Sequence, residues 1–206
     1  MAVNKKLKKT IDQLSTEKIN KERKELLSKL VEVIKNEMQH QGELIHLNFI
    51  CTHNSRRSVF AQSWFQALAS HAGLENIRTY SGGTEATAVY EQVLKTLEKD
   101  GFEVDKLQSA KNPIYGINYS ELDEPIIAFS KKYDDSFNPA SHYIAVMVCD
   151  HAYENCPVVT GAKKVLGITY TDPKASDKLA DKEQTYLACS HQIAVEMKWV
   201  IDQIKA

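Results

Sequence analysis

Cys51 and Arg57 stand in C-x5-R spacing, with the hydroxyl residue Ser58 directly after the arginine. The cysteine closes the apolar run Leu47-Asn48-Phe49-Ile50, and polar residues Thr52, His53, Asn54, Ser55 and Arg56 fill the interval. A strand that stops at a cysteine, turns through a loop of this length and enters a helix at Arg57-Ser58 can curl around one tetrahedral oxyanion. Loop amides and a helix N-terminus then point at the anion. The Arg57 guanidinium can fork across two oxygens, and Cys51 lies beneath as nucleophile. The same positive field favours the thiolate, to which Ser58 can donate a hydrogen bond. The competing reading is a buried strand-end cysteine beside two surface arginines.

Other chemically capable residues lie far along the chain. Asp172 precedes Pro173 and serves either as a turn cap or, facing the oxyanion loop, as a general acid that protonates a leaving oxygen. Cys149 and Cys156, in Cys-Asp-His-Ala-Tyr-Glu-Asn-Cys-Pro, admit three readings. They are unremarkable thiols, or a metal site with His151 that lacks an evident fourth ligand, or a relay of thiols that resolves a sulfur adduct on Cys51. No metal or cofactor is expected. Cys189 falls mid-helix near an apolar face and reads as core. Of the seven histidines, His46 alternates with strand residues, His71 and His142 read as surface or boundary residues, and His53 alone lies within reach of a loop-bound ligand.

The elements that must position these groups follow from pattern. Residues 4 to about 40 are charged and helical, with Leu27, Leu30, Val31, Ile34 and Met38 on one face. Ser15 or Thr16 is the expected cap between a short and a longer helix, and Gly42 ends the second. This extension (1–42) reads as a lid or packing element, with a homodimer contact as its runner-up role. The second domain (43–206) alternates strands and helices, which implies a parallel sheet. Its strands are Leu44 to Ile50, Ile77 to Tyr80, Tyr143 to Val148 and Val165 to Ile168. Helices follow the loop (Val59, Phe60, Ser63, Trp64, Ala67 and Leu68 inward), span roughly Tyr90 to Asp100, and close the chain from about Asp181 to Ile204. Prolines and asparagines break 105–140 into short extended pieces, read as an antiparallel hairpin inserted at the sheet edge. Ligands of such sheets sit beyond the carboxyl ends of the strands, where Cys51, Cys149 and Asp172 all fall.

Composition narrows the classes. A net charge of −1 over 206 residues gives no basic field for nucleic acid. No apolar run approaches a membrane span, and the first residues lack the apolar core of a signal peptide, so a cytoplasmic protein with reduced cysteines is expected.

Phe49-Ile50-Cys51-Thr52-His53-Asn54-Ser55-Arg56-Arg57-Ser58 resembles the phosphate loop shared by low-molecular-weight protein tyrosine phosphatases and thioredoxin-coupled arsenate reductases. Tyr80-Ser81-Gly82-Gly83-Thr84-Glu85 resembles another segment of that superfamily. The Cys149-x6-Cys156-Pro157 element is similar to the reductase pair. The phosphatases usually place an aromatic residue after Asp-Pro, whereas Lys174-Ala175 follow here. The likeness spans roughly residues 44–204. It implies a three-layer α/β sandwich with a four-stranded parallel sheet, and a cycle in which Cys51 attacks arsenate held by Arg57 while Asp172 protonates the departing oxygen. Cys149 then attacks Cys51, Cys156 attacks Cys149, and thioredoxin reduces the last disulfide. A phosphomonoester hydrolase using Cys51, Arg57 and Asp172 is the alternative, and a non-catalytic oxyanion or redox sensor the second alternative. Two residues depart from the family loop. His53 replaces a glycine, at a position favouring a left-handed backbone that histidine tolerates at some cost. Arg56 replaces a second cysteine and adds charge near the anion.

Overall fold

The computed structural model describes residues 3–40, 42–155 and 158–206. In chain order the elements are α1 (Lys5–Gln13), α2 (Lys21–Met38), β1 (Ile45–Cys51), α3 (Arg57–His71), β2 (Ile77–Gly83), α4 (Glu91–Asp100), β3 (Glu103–Gln108), β4 (Ile114–Asn118), β5 (Ile126–Ala128), β6 (Tyr143–Met147), α5 (Asp150–Asn155), β7 (Ala162–Gly167) and α6 (Lys182–Lys205). A 3-10 turn, Pro173–Ser176, precedes α6.

Four strands form a parallel sheet in the order β2–β1–β6–β7. The chain leaves β1 for one neighbour and later fills the other side, so the order reverses beside β1, where such sheets open a crevice at the carboxyl ends. β1 alternates its faces as a strand must. Phe49 meets Phe65 of α3 at a centroid distance of 5.7 Å, while the Asn48 amide on the opposite face donates to the carbonyl of Tyr133.

The helix after the loop is more enclosed than an amphipathic stripe predicts. Every residue of α3 from Ser58 to Ser70 is buried, because α6 packs along it and β2 runs beside it. Several of its polar side chains are partnered there. Trp64 Nε1 donates to Ser190 Oγ (2.9 Å). Gln62 and Gln66 bond the backbone of Thr79 and the carbonyl of Ile77, which occupies part of the outer edge of β2 and blunts an exposed strand edge.

Residues 103–128 hold three antiparallel strands in their own sheet, β3–β4–β5, not one hairpin joined to the edge of the parallel sheet. The segment after β5 meets the end of β2 through an isolated parallel bridge, Gly83 with Lys132. Hydrogen bonds from the Asn138 amide to the carbonyls of Ser81, Lys132 and Tyr133 hold the following segment against the sheet.

The N-terminal helices pack on the domain. The second is capped by Asn20, whose side chain accepts from the Arg23 amide (2.8 Å), and not by Ser15 or Thr16. It ends at Met38, and Gly42 follows in a left-handed conformation (φ 85°). α2 lies on α6 and touches β1 and β7, whereas α1 lies on α4. Gly101 terminates α4 at φ 110° with Leu7 so close that a Cβ would meet its amide nitrogen at 2.4 Å. A side chain there would drive the extension off the domain. Among the described residues no helix is long and apolar enough to cross a membrane.

At the same junction the buried Asp100 carboxylate binds His191 Nε2 (2.7 Å) and Ser190 Oγ (3.1 Å), and its carbonyl accepts from Thr10 Oγ1. The hydrogen bond that His191 donates to Asp100 raises the His191 pKa above 6.5, against the opposing effects of burial and Lys99. The protonated histidine therefore stabilises the fold below its unfolded pKa, and that contribution fades as pH rises through the higher folded value. The loss of melting temperature in His191→Gln is expected to be larger near about pH 5.5 than near about pH 8.5, as read by thermal denaturation at both. An equal loss at the two pH values would remove this pair from the pH dependence.

Candidate active site

β1 delivers Cys51 to the carboxyl edge of the sheet, and the chain turns immediately into α3. Cys51 is 4% exposed, and its Sγ lies 3.1 Å from Ser58 Oγ, the hydroxyl foreseen beside the sulfur. Asn54 carries the tight turn. It takes φ 46°, and its side chain donates to Ser58 Oγ (2.9 Å) while accepting from the Lys131 amide (3.1 Å). Asparagine visits this left-handed region more readily than most residues. The strained position is thus Asn54, not His53, which lies outside the positive-φ region.

The surroundings pull the loop carbonyls outward. Cys51 O accepts from the Thr84 amide, Thr52 O from the Glu85 amide, Ser55 O from the Tyr90 amide, and Arg56 O from the Val59 and Phe60 amides of α3. His53 O accepts from Ser130 Oγ at 2.7 Å. Among the described residues, none of the amides of 52–58 donates to protein, and α3 has no side-chain cap. A loop with its acceptors occupied and its donors unpaired can cradle an anion. Gly83 is what lets the framework close so tightly: a Cβ there would lie 2.4–2.8 Å from Glu85 O, Thr52 O and Asn54 N.

The two arginines are each held by an aspartate of the segment after β7. Arg57 Nη2 pairs with Asp172 Oδ2 at 2.6 Å, and its Nη1 donates to the Tyr170 carbonyl at 2.8 Å. Its Nε is a buried donor without a protein partner, which leaves one N–H for a ligand oxygen. Arg56, foreseen as an added charge on the anion, spends its guanidinium elsewhere. It donates to Tyr186 Oη (2.6 Å) and Asp177 Oδ2 (2.6 Å), and lies 4.3 Å over the Tyr90 ring. Its charge is compensated there, and its side chain braces the loop. Asp172 also accepts from the Lys174 amide (3.0 Å) and so caps the 3-10 turn. The turn-cap reading and the pairing with the loop arginine hold together. Cys189, close to this pair, is pushed up to about 12 by burial and sits 3.9 Å from the Thr171 carbonyl, as befits a core thiol.

Cys149 follows β6, the strand beside β1. Its Sγ lies 3.5 Å from Thr52 Oγ1 and accepts from the Ala152 amide of α5 at 3.4 Å. This second thiol is therefore buried against Thr52, the residue that follows Cys51 in the loop. Cys156 lies outside the described residues. Among the described residues no group of three His, Cys, Asp or Glu side chains is placed to hold a metal. His53 stands at the rim, with Nε2 3.5 Å from Glu85 Oε2.

Several supporting residues have no sequence signal. Lys131 is 2% exposed, and its amine sits over the rings of Phe129 and Phe137 at 4.6 and 5.4 Å. Burial pushes it down to about 8. Its amide fixes Asn54 and its carbonyl accepts from Gly83. Ser130, Tyr170, Asp177 and Tyr186 reach the loop from equally distant positions. The run Ser81-Gly82-Gly83-Thr84 was visible as a likeness, but only the contacts show why glycine stands there.

A family model described as low molecular weight phosphotyrosine protein phosphatase matches residues 46–181, more than half of the chain. No curated protein matches by sequence. Solved structures similar in fold include an arsenate reductase from Archaeoglobus fulgidus (21% identity, TM-score 0.50, covering 76% of this chain and 98% of that one). A low molecular weight phosphotyrosine phosphatase from Vibrio cholerae O395 follows at 12% identity and TM-score 0.54, covering 77% and 95%. An arginine phosphatase from Geobacillus stearothermophilus matches at 13% identity and TM-score 0.50, covering 78% and 93%.

The Asn54 bridge generates a stability prediction. Asn54→Gly keeps the backbone unstrained but leaves the Lys131 amide without its acceptor, and is expected to cost about 1–3 kcal/mol in urea unfolding. Asn54→Ala adds the left-handed strain, about 1–2 kcal/mol more. Equal stability of the two variants would mean that the backbone at residue 54 carries no strain.

Proposed function

The chain belongs to the low molecular weight phosphotyrosine protein phosphatase family, and within it we propose a thiol-based arsenate reductase. The observation that carries the choice is the buried Cys149, 3.5 Å from the hydroxyl of the residue after the nucleophile. A hydrolase needs no thiol there, whereas an enzyme that resolves a sulfur adduct does.

Arsenate enters the amide cradle and takes the free Nε and other donors of Arg57. The anion competes with Asp172 for that guanidinium. The Cys51 thiolate, held by Ser58, forms an S–As bond, and an arsenate hydroxyl leaves as water with the proton from Asp172. Cys149 as thiolate attacks the Cys51 sulfur. The S–As bond breaks with its electron pair retained on arsenic, so As(V) becomes As(III), arsenite leaves, and a Cys51–Cys149 disulfide remains. Cys156 attacks Cys149, which frees the Cys51 thiolate. A dithiol partner of the thioredoxin type reduces the Cys149–Cys156 disulfide. The amides of Thr52, His53, Asn54, Ser55, Arg56, Arg57 and Ser58 hold the anion throughout.

A phosphomonoester hydrolase is the second reading, favoured by the Asp172 carboxyl on Arg57, which serves a departing alcohol equally well. The assays separate the two. Arsenate-dependent NADPH oxidation, coupled through thioredoxin and its reductase, is expected in the wild type and abolished in Cys51→Ser and Cys149→Ser. Asp172→Asn is expected to slow it about 10²–10⁴-fold. Turnover that survives Cys149→Ser would sink the relay. Cys51-dependent hydrolysis of an aryl phosphate, indifferent to Cys149 and without arsenate turnover, would establish the hydrolase.

A further inference from the structure

We propose that the N-terminal extension is a working part of the site, and that Arg23 of α2 is a positioning residue for the segment carrying Tyr170 and Asp172. Arg23 lies outside the region matched to the family, residues 46–181. Its guanidinium is clamped on α6 by Glu196, Nε to Oε1 at 3.0 Å and Nη2 to Oε2 at 2.7 Å. Both side chains are largely withdrawn from water, at 19% and 6% exposure, where a two-bond arginine–carboxylate pair is geometrically demanding. From this anchor Nη2 reaches the Thr169 carbonyl at 3.1 Å, and the guanidinium carbon lies 4.9 Å from the centre of the Tyr170 ring.

The next links lead into the site. After β7 the chain stays beside β6: the Ile168 amide bonds Met147 O and the Tyr170 amide bonds Val148 O. These bonds hold the inner side of the segment. The Thr169 carbonyl faces the other way, and Arg23 is what receives it. The Tyr170 carbonyl then accepts from Arg57 Nη1 (2.8 Å), and Asp172 pairs with Arg57 Nη2 (2.6 Å). Arg23 therefore grips the outer side of a strand extension whose inner side grips the oxyanion-binding arginine. Without Arg23, Thr169 loses its acceptor's partner and the Tyr170 ring loses its cation. The Tyr170 carbonyl and the Asp172 carboxyl are then free to drift, and small displacements of a positioned group cost large factors in rate.

The catalytic part of this inference rests on the assignment of Asp172 as acid, whereas the positional part does not, and the test separates them. Hydrogen–deuterium exchange on the full chain presumes no reaction. Arg23→Ala is expected to raise exchange severalfold in the peptide covering residues 168–174 and to leave β1 and α3 unchanged. Unchanged exchange in that peptide overturns the proposal. In kinetics on whichever oxyanion substrate the wild type turns over, Arg23→Ala is expected to lower kcat about tenfold with KM within about twofold. Arg23→Lys, which keeps the charge but not the fork, should recover part of the loss. In an Asp172→Asn background the Arg23 substitution should cost nothing further, because the two act through one geometry. An equal loss in both backgrounds marks a general structural role and overturns the positioning claim. If Arg23→Ala does not fold, Arg23→Met with Glu196→Gln removes the contact without leaving a buried charge unpaired, and the same outcomes apply. Failure of the arsenate assay alone would refute the reductase and leave the exchange result standing.

Discussion

The Val148 amide donates to the Ile50 carbonyl at 2.8 Å, and one residue further along each strand comes a thiol, Cys149 and Cys51. This bond extends the parallel register of β1 with β6, in which Ile50 pairs with Met147. Everything chemical in the molecule depends on it. A shift of one residue would turn alternate side chains to the other face of the sheet and separate Cys149 from the loop. The apolar content of the two strands enforces the register, since Leu47, Phe49, Ile50 and all of Tyr143–Met147 are buried. Packing thus places two sulfur atoms at neighbouring strand ends.

Around that axis the oxyanion loop is held from outside. Its carbonyls are claimed by Thr84, Glu85, Tyr90 and Ser130, and its two arginines by Asp172 and Asp177. The neighbouring arginines do different work. Arg57 keeps a buried, unpartnered Nε and pairs its guanidinium with Asp172. Arg56 is consumed by Asp177, Tyr186 and the Tyr90 ring, and makes the loop rigid from below. A rigid cradle with unpaired donors needs little reorganisation when charge arrives, the condition under which electrostatic stabilisation is strongest.

Much of this was legible in the sequence because it depends on short-range pattern. The strand–cysteine–loop–helix signature, the Ser58 contact, the four parallel strands and the core placement of Cys189 all follow from local periodicity and spacing. What escaped depends on distant partners. Nothing near Arg56 announces Asp177 and Tyr186. Histidine at position 53 drew attention as the unusual residue, yet the left-handed turn falls on Asn54, whose partners Ser58 and Lys131 lie on different segments. The cap of α2 is Asn20, directly before Lys21, although the hydroxyls of Ser15 and Thr16 are equally capable chemically. The stretch 105–140 reads from sequence as one edge hairpin because its extended pieces are short and broken by proline and asparagine. The pairing that makes three strands a separate sheet is non-local.

The central claim is that Cys149 takes over the sulfur adduct formed on Cys51 and passes the oxidation to Cys156. Peptide mapping by mass spectrometry after one arsenate turnover, with no reductant present and free thiols blocked in acid, reads this directly. The account predicts a Cys149–Cys156 disulfide, with Cys51 recovered as a free thiol and one arsenite released per chain. Reduced Cys149 and Cys156 after exposure to arsenate, with no arsenite formed, would contradict it.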